Sequence, residues 1–497
     1  MRSVALVIPP SAFLLDERVF VSLGVLKVAA SLRDNGYNIN LLDFSGVENY
    51  LDVLQVYLRT ATDCAVGITT TTPQFPAVAK IVKVIREQRP DLKVILGGPH
   101  ITLTLAACKL EIKKGVVDGR AHHAREKMEA LSDVLCAGDG ELASIFAVAN
   151  GAPKVIDGDD PKGGLFMTDD QYTLTPYPAR DLVDMSSYHY TIEGHNATSL
   201  IAQLGCPFGC GFCGGRNSKS LRMIRTRTTD SIINELEMLY STYGYTGFMF
   251  YDDELNVNPN MLPLMREIAA LQKRLGTEFR LRGFVKSELF NAEQANAMYE
   301  AGFRWILCGY EAAYPRILTN INKRATLENN TNCVLTAKAA GLKVKALMSI
   351  GHPGESEESI SAIRDWLLDV KPEDFDCTII TPYPGSPYYD ESVKGDKPGL
   401  YVYTQPKTGD RLYSWEIDYT ATADYYKGDP DADGGYKAFV FTDNLSETQL
   451  VSLRDKLERD VRSALNIPFN TSRPALRYEH SMGQGLPGFV LRKSNEL

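Results

Sequence analysis

The sequence predicts an α/β chain with three parts: an N-terminal doubly wound sheet, a partial (β/α)6 barrel and a small C-terminal α+β cap. Three observations carry this. Short β-rich runs alternate with helical segments over the first ~150 residues, and a second alternating region runs from about Ser199 to Pro382. The composition then shifts toward Tyr, Asp and Gly after residue 395. Strands alternating with helices of this length imply parallel sheets with right-handed crossovers. A chain of 497 residues has room for two to four domains.

In the first region, Ser3–Ile8 reads as a strand stopped by Pro9-Pro10, Leu26–Asn35 as a helix and Asn38–Asp43 as the second strand. Ala65–Thr69 and Lys93–Leu96 follow as strands, with a helix near Ala77–Gln88 between them. Ligands of open α/β sheets bind beyond the C-terminal strand ends. Those ends carry Pro10, Thr69, Thr70, Gly97, Gly98, His100, Gly138 and Gly140, small or polar residues that let a large flat ligand approach the backbone. Turn chemistry alone would also place glycines there. Residues 151–195, with clusters such as Gly158-Asp159-Asp160-Pro161, read as a linker. The expected division is 1–150, a linker 151–195, a core 196–394 and a cap 395–497.

The second region offers six strands: Ser199–Gln203, Gly247–Tyr251, Glu278–Arg282, Trp305–Gly309, Lys345–Ile350 and Cys377–Thr381. Helical patterns separate them, at Thr229–Tyr243, Pro263–Leu275, Asn291–Ala301, Leu327–Ala340 and Ser356–Val370. Six units fall short of an eight-fold barrel and fit an open one.

Composition narrows the function classes. Hydrophobic residues are 44% and charged residues 23%, with a net charge of −9 and no long basic run, so a nucleic-acid footprint is not expected. No apolar stretch approaches a membrane span. The N-terminal apolar run is only five residues, Val4–Ile8, shorter than a secretory signal needs. The expectation is a cytoplasmic protein with reduced thiols. Nine cysteines are too sparse for a disulfide scaffold, yet three fall within eight positions.

Those three form Cys206-Pro207-Phe208-Gly209-Cys210-Gly211-Phe212-Cys213, directly after a strand. Thiolates on one short loop favour iron–sulfur clusters or zinc. Structural zinc wants four protein ligands, and no neighbouring Cys or His completes that set. Three ligands suit a 4Fe–4S cluster with one iron open. The other cysteines are scattered and read as buried hydrophobes. His100, His122 and His123 read as hydrogen-bonding groups more readily than metal ligands. Asp429-x-Asp431-x-Asp433-Gly434 opens like a calcium loop, but Val440 stands where the bidentate glutamate belongs.

On these residues the chain resembles the radical S-adenosylmethionine (SAM) superfamily. Asp252-Asp253-Glu254, Arg282, Gly309-Tyr310-Glu311 with Lys323 downstream, Gly351-His352-Pro353-Gly354-Glu355 and Thr381-Pro382-Tyr383-Pro384-Gly385-Ser386-Pro387 extend the match along the barrel. With its PP and GGPH loops, the N-terminal region resembles the cobalamin-binding domain of the cobalamin-dependent subfamily. The resemblance implies a 4Fe–4S cluster on Cys206, Cys210 and Cys213, SAM and cobalamin. It makes Gly214, Gly215, Asp253, Arg282, Glu311, Gly351, Pro353 and Gly354 candidates for SAM, with Arg282 at its carboxylate and Gly214, Gly215 and Glu311 at its methionine end. The strand-end residues above become candidates for cobalamin. Two departures stand out: Gly214-Gly215 is followed by Arg216 where many members carry Glu, and no D-x-H-x-x-G motif supplies a histidine to cobalt. The implied activity is methyl transfer from methylcobalamin to an unactivated carbon of a biosynthetic intermediate by way of a 5′-deoxyadenosyl radical. The alternatives are a cobalamin-assisted cyclase or rearrangement, or a non-catalytic iron–sulfur or cobalamin sensor. The implied partners are a small-molecule or peptide substrate and an electron donor such as flavodoxin or ferredoxin.

Overall fold

The structure is a computed structural model and describes residues 2–11, 17–422 and 437–468. Tyr425, Tyr426 and the Asp429–Gly434 run lie outside the described residues.

The N-terminal sheet has strands β1 (Ser3–Ile8), β2 (Asn38–Asp43), β3 (Ala65–Thr69), β4 (Lys93–Gly97), β5 (Val134–Gly138) and β6 (Val155–Gly158). Every pairing is parallel and the order is β2-β1-β3-β4-β5-β6. The order reverses between β1 and β3, which is where doubly wound sheets open their ligand crevice. Strand centres are uniformly apolar (Val4–Ile8, Val94–Leu96, Val134–Ala137) because helices cover both faces. Helices α1 (Leu23–Asp34) and α6 (Gly140–Ala147) cover one face; α2 (Tyr50–Thr60), α3 (Phe75–Gln88), α4 (Pro99–Lys113) and α5 (Arg120–Leu131) cover the other. The expected linker supplies β6, a sixth strand too short and too polar to show alternation.

The second sheet runs β7 (His195–Leu200), β8 (Gly247–Phe250), β9 (Arg280–Phe284), β10 (Phe303–Glu311), β11 (Lys343–Ile350) and β12 (Asp374–Ile379), these six parallel and in sequential order, with the short strand Thr191–Ile192 antiparallel at the β7 edge. Its connecting helices are α7 (Thr229–Tyr243), α8 (Met261–Leu275), α9 (Ala292–Glu300), α10 (Leu327–Ala339) and α11 (Glu357–Val370). All six expected barrel strands are present, their ends shifted by a few residues. A third, antiparallel sheet contains β13 (Leu400–Thr404), β14 (Arg411–Trp415) and β15 (Val440–Thr442). Helix α12 (Glu447–Leu465) follows and packs on β12 and α11. Buried charge ties it there: Glu458 accepts from the Cys377 amide at 2.7 Å, and Arg454 donates to the Cys377 carbonyl at 2.9 Å.

A buried ionic trio clamps the segment before the barrel. Arg180 and Arg227 both bind the Glu235 carboxylate, the first at 2.7 Å, and all three are almost fully buried. Arg180 also donates to the Ser199 carbonyl on β7. The two guanidinium groups hold the Glu235 carboxyl below its ordinary range against the opposing effect of burial. Stability from this depressed carboxyl is therefore present above its unfolded pKa and is lost as pH falls through the folded one. Replacing Glu235 with Gln strands two buried cations, so the barrel transition in guanidinium denaturation should lose about 3–5 kcal/mol at neutral pH. An unchanged midpoint would show that the trio is not the clamp.

Candidate active site

The cysteine loop leaves β7 and is pinned from several sides. The Cys206 amide donates to the Leu221 carbonyl at 3.0 Å and the Gly211 amide to the Ile321 carbonyl at 2.7 Å. The Gly211 carbonyl accepts from the Tyr388 amide at 3.0 Å, and Asn322 donates its side-chain amide to the Gly209 carbonyl at 3.0 Å. Arg222 takes the Pro207 and Phe208 carbonyls at 2.5 and 2.7 Å. Arg216, the departure from the family pattern, lies across the loop. A Cβ at Gly209 would fall 1.8 Å from its Nη1, so a larger residue there would push the Arg216 side chain off the loop.

The three thiols are free, and burial pushes each upward, Cys206 to about 11. Cys213 keeps accessible surface while its surroundings push its thiol upward. Lys323 and Lys286, both nearly buried, act against this rise at Cys210. Lys286 places its ammonium 4.2 Å from the Phe208 ring centroid and pairs with Glu288 at 2.8 Å. Soft thiolate donors flanked by fixed cations suit an anionic iron–sulfur centre. Among the described residues, no group of three His, Cys, Asp or Glu side chains is spaced to hold a single metal ion.

Beside the loop, Lys323 meets Glu311 at 3.3 Å, Ser349 donates to Glu311 at 2.7 Å, and Ser349 shares a 2.8 Å hydrogen bond with His352 Nε2. Glu311 has φ +66° and sits at a register shift between β10 and β11. A non-glycine residue in this region costs on the order of 1–3 kcal/mol and marks a site where the side chain's aim matters. His352 is fully buried against Phe212 and Tyr388, and burial lowers its pKa to about 3, so the ring is neutral.

The sequence-predicted residues divide accordingly. Gly214, Gly215, Asp253 and Glu311 lie around the cysteine loop. Asp253 is accessible, whereas Asp252 is buried and caps the Ala202 and Gln203 amides. Gly351 is packed against the cap, where a Cβ would meet Val440 at 3.1 Å, and the Pro353 carbonyl accepts from Asn320 of the barrel at 2.7 Å. Gly354 adjoins Asp410, with which a Cβ there would collide at 2.6 Å. Arg282 stands elsewhere. It pairs across the sheet with Met249 and Trp305, low in the barrel, four residues and roughly 13 Å along the strand from Lys286. Sequence reasoning missed Lys286, Ser349 and Tyr388 as neighbours of the site. Lys286 carried a usable signal, since it shares strand parity with Arg282 in an otherwise apolar run.

In the N-terminal domain a cavity of about 340 Å³ opens between β1, β3, β4 and β5 on one side and α1 and α6 on the other. Thr69, Gly97, Gly98, Gly138 and Gly140 line it, and its mouth reaches Leu221 and Arg225 of the second domain. Gly98 has φ +96°, and a Cβ there would lie 2.8 Å from the Thr70 amide nitrogen. Pro10, Thr70 and His100 are not in this wall. His100 is buried on the opposite face, 3.0 Å from Thr72 Oγ1, and borders a second cavity of about 310 Å³ beside Arg120 and Tyr419. His122 and His123 sit on α5 near Glu126 and Asp118. The domains meet through Leu103 of α4, which would lie 3.2 Å from a Cβ at Gly214 and 3.3 Å from one at Gly385. Asp159 binds Ser218 and Ser220, and Asp139 binds Arg225.

Comparison with known proteins finds two family matches in the chain. Residues 17–132 fit the B12 binding domain and residues 200–367 the radical SAM superfamily. The chain is 26% identical over 400 residues to an uncharacterized methyltransferase of Pyrococcus horikoshii, covering 79% of this chain and 83% of that one. It is 23% identical over 390 residues to the anaerobic magnesium-protoporphyrin IX monomethyl ester cyclase of Rubrivivax gelatinosus, covering 76% and 67%. In structure it resembles the radical SAM methyltransferase TsrM of Kitasatospora setae, with a TM-score of 0.62 at 18% identity over 81% of each chain. It also resembles the cobalamin-dependent SAM radical enzyme OxsB, with a TM-score of 0.55 at 15% identity over 79% of this chain and 55% of that one. No helix among the described residues is long and apolar enough to cross a membrane. A B12-binding domain is thus joined to a radical SAM domain, with cobalamin, SAM and a 4Fe–4S cluster as the implied cofactors, and the chain is a cobalamin-dependent radical SAM enzyme.

Proposed function

We propose that the enzyme is a C-methyltransferase acting on an unactivated carbon of a small molecule or peptide. The observation that carries this reading is the seam: helix α4 of the cobalamin domain brings Leu103 against Gly214, next to the cysteine loop, and against Gly385. When bound, the cluster with SAM supplies a carbon-centred radical, and cobalamin supplies a methyl group. The 26% identical Pyrococcus horikoshii relative, named a methyltransferase, supports the same reading. The cyclase relative keeps cyclisation as the second reading.

This chain's residues have definite tasks. Cys206, Cys210 and Cys213 hold the cluster, and Lys286 and Lys323 offset its negative charge from within a low-dielectric wall. Lys323, buried and beside Glu311, is placed to take the SAM carboxylate in place of Arg282. Glu311 and the Gly214 and Gly215 backbone receive its ammonium, the role the family gives to the residue that is Arg216 here. The Gly351–Gly354 turn acts indirectly, by fixing His352 and Ser349 and through them Glu311. The 340 Å³ cavity is lined mainly by apolar side chains and glycines, which suits a flat nucleotide base slid between sheet and helices. These residues would hold the cofactor's nucleotide end, and no histidine lines that cavity.

Replacing Cys210 with Ala should abolish both bound iron and 5′-deoxyadenosine formation in anaerobically prepared protein. Full iron content with continued SAM cleavage would defeat the cluster assignment. The two readings separate by stoichiometry. Methyl transfer by way of cobalamin consumes two SAM per product, so 5′-deoxyadenosine and S-adenosylhomocysteine should form in near-equal amounts. Substrate-dependent 5′-deoxyadenosine without the homocysteine product would establish cyclisation or rearrangement instead.

A further inference from the structure

The barrel floor contains a buried cation with nothing to hold. Arg282 is 5% exposed, and its Nε and Nη2 have no hydrogen-bond partner. Its guanidinium carbon lies 5.2 Å from the Trp305 ring centroid. Beside it the Tyr190 hydroxyl, on a side chain only 1% exposed, has no partner of good hydrogen-bond geometry, and Arg282 acts on it through its charge and a looser hydrogen bond. Buried donors without partners are rare, and a buried unpaired charge is costly.

The surrounding charges are already committed. Lys345 binds Asp374 at 2.7 Å and Asp376 at 3.1 Å, and Arg462 from the cap helix binds the same two carboxylates. Lys343 pairs with Glu193, which also accepts from the Trp305 indole, and Arg280 pairs with Glu278. Asp374 feels the Arg282 charge but is bound to Lys345 and Arg462, and among the described residues no carboxylate lies within ion-pair distance of Arg282. Its Nε and Nη2 are left open.

Above Arg282 the walls are aromatic. Phe20, reaching in from the N-terminal domain, packs 4.5 Å from Tyr190 and 5.5 Å from Tyr251, and Tyr251 packs 6.2 Å edge-on to Phe284. Tyr251 is 41% exposed, so this aromatic wall keeps accessible surface.

We infer that Arg282 and Tyr190 form the substrate's anchoring subsite, which takes the carboxylate of a flat, apolar or aromatic carboxylic acid. A guanidinium matches a carboxylate with two parallel hydrogen bonds, and the phenol adds a third donor. The aromatic side chains then grip the body of the molecule. Because Arg282 lies roughly 13 Å along its strand from Lys286, a substrate anchored there presents its opposite end to the cysteine loop. The carbon that reacts is thus remote from the carboxylate. This deepens the methyltransferase reading and rests on it for the word substrate, but its test reads binding alone.

The probes are 2-naphthoate and its uncharged counterpart 2-naphthamide, titrated into anaerobic holoenzyme and followed by tryptophan fluorescence, to which Trp305 contributes, and by calorimetry. The wild-type protein should bind the acid at least tenfold more tightly than the amide. Arg282→Gln should erase that preference, Arg282→Lys should retain part of it, and Tyr190→Phe should weaken the acid several-fold with little effect on the amide. Iron content of each variant reports whether it folds. Equal binding of acid and amide by wild-type protein, or an undiminished preference in folded Arg282→Gln, overturns the subsite. Neither result bears on SAM cleavage or methyl stoichiometry, so the two proposals can fail separately.

Discussion

Three thiolates gathered on one loop repel one another, and burial makes their ionisation harder still, as the upward shifts at Cys206, Cys210 and Cys213 record. The fold answers with fixed cations and fixed backbone. Lys323 and Lys286 come from the ends of barrel elements, Arg216 and Arg222 from the strand-to-helix connection, and each is held by a partner or by packing. Six hydrogen bonds from the Leu221, Ile321, Asn322, Tyr388 and Arg222 neighbourhoods leave the loop little freedom. Rigidity of this kind keeps the reorganisation that accompanies electron arrival small, because the compensating dipoles already point the right way.

From that loop the arrangement spreads outward in two directions. Toward the N-terminal domain, Gly214 and Gly385 let Leu103 of α4 approach, and Asp139 and Asp159 secure the following segment with buried charge. Toward the barrel interior, Glu311 is turned inward by a strained backbone and steadied by Ser349 and Lys323. The cap closes the far side. It packs Val440 on the Gly351 turn and sends Arg462 to the acids on β12. Positions of this kind link packing directly to chemistry, since a side chain that must be placed to a fraction of an ångström depends on the shell behind it.

Much of this was legible in the sequence. The parallel sheets followed from strand–helix alternation, and the cysteine loop followed from spacing. The glycines at the ends of β4 and β5 do line the cavity that was expected at the strand ends. What was not legible depends on side-chain direction. The resemblance makes the Gly351-His352-Pro353-Gly354 turn a SAM candidate, and the cap, invisible to local pattern, packs on Gly351 and Gly354. It makes Arg282 a candidate too, and only the register with Met249 and Trp305 shows how deep that residue lies. His100 opens a helix at a strand end, yet its side chain turns to Thr72 on the other face of the sheet. Such choices are made by tertiary packing, not by propensity.

Methyl transfer as proposed requires the two cofactors to face each other across the seam at Leu103 and Gly214. The most direct measurement is low-temperature electron paramagnetic resonance of the full chain carrying both Co(II) cobalamin and the one-electron-reduced cluster. Apposition across that seam predicts a magnetic interaction that splits or broadens both signals beyond those of protein carrying either centre alone. A spectrum equal to the simple sum of the two separate signals would contradict it.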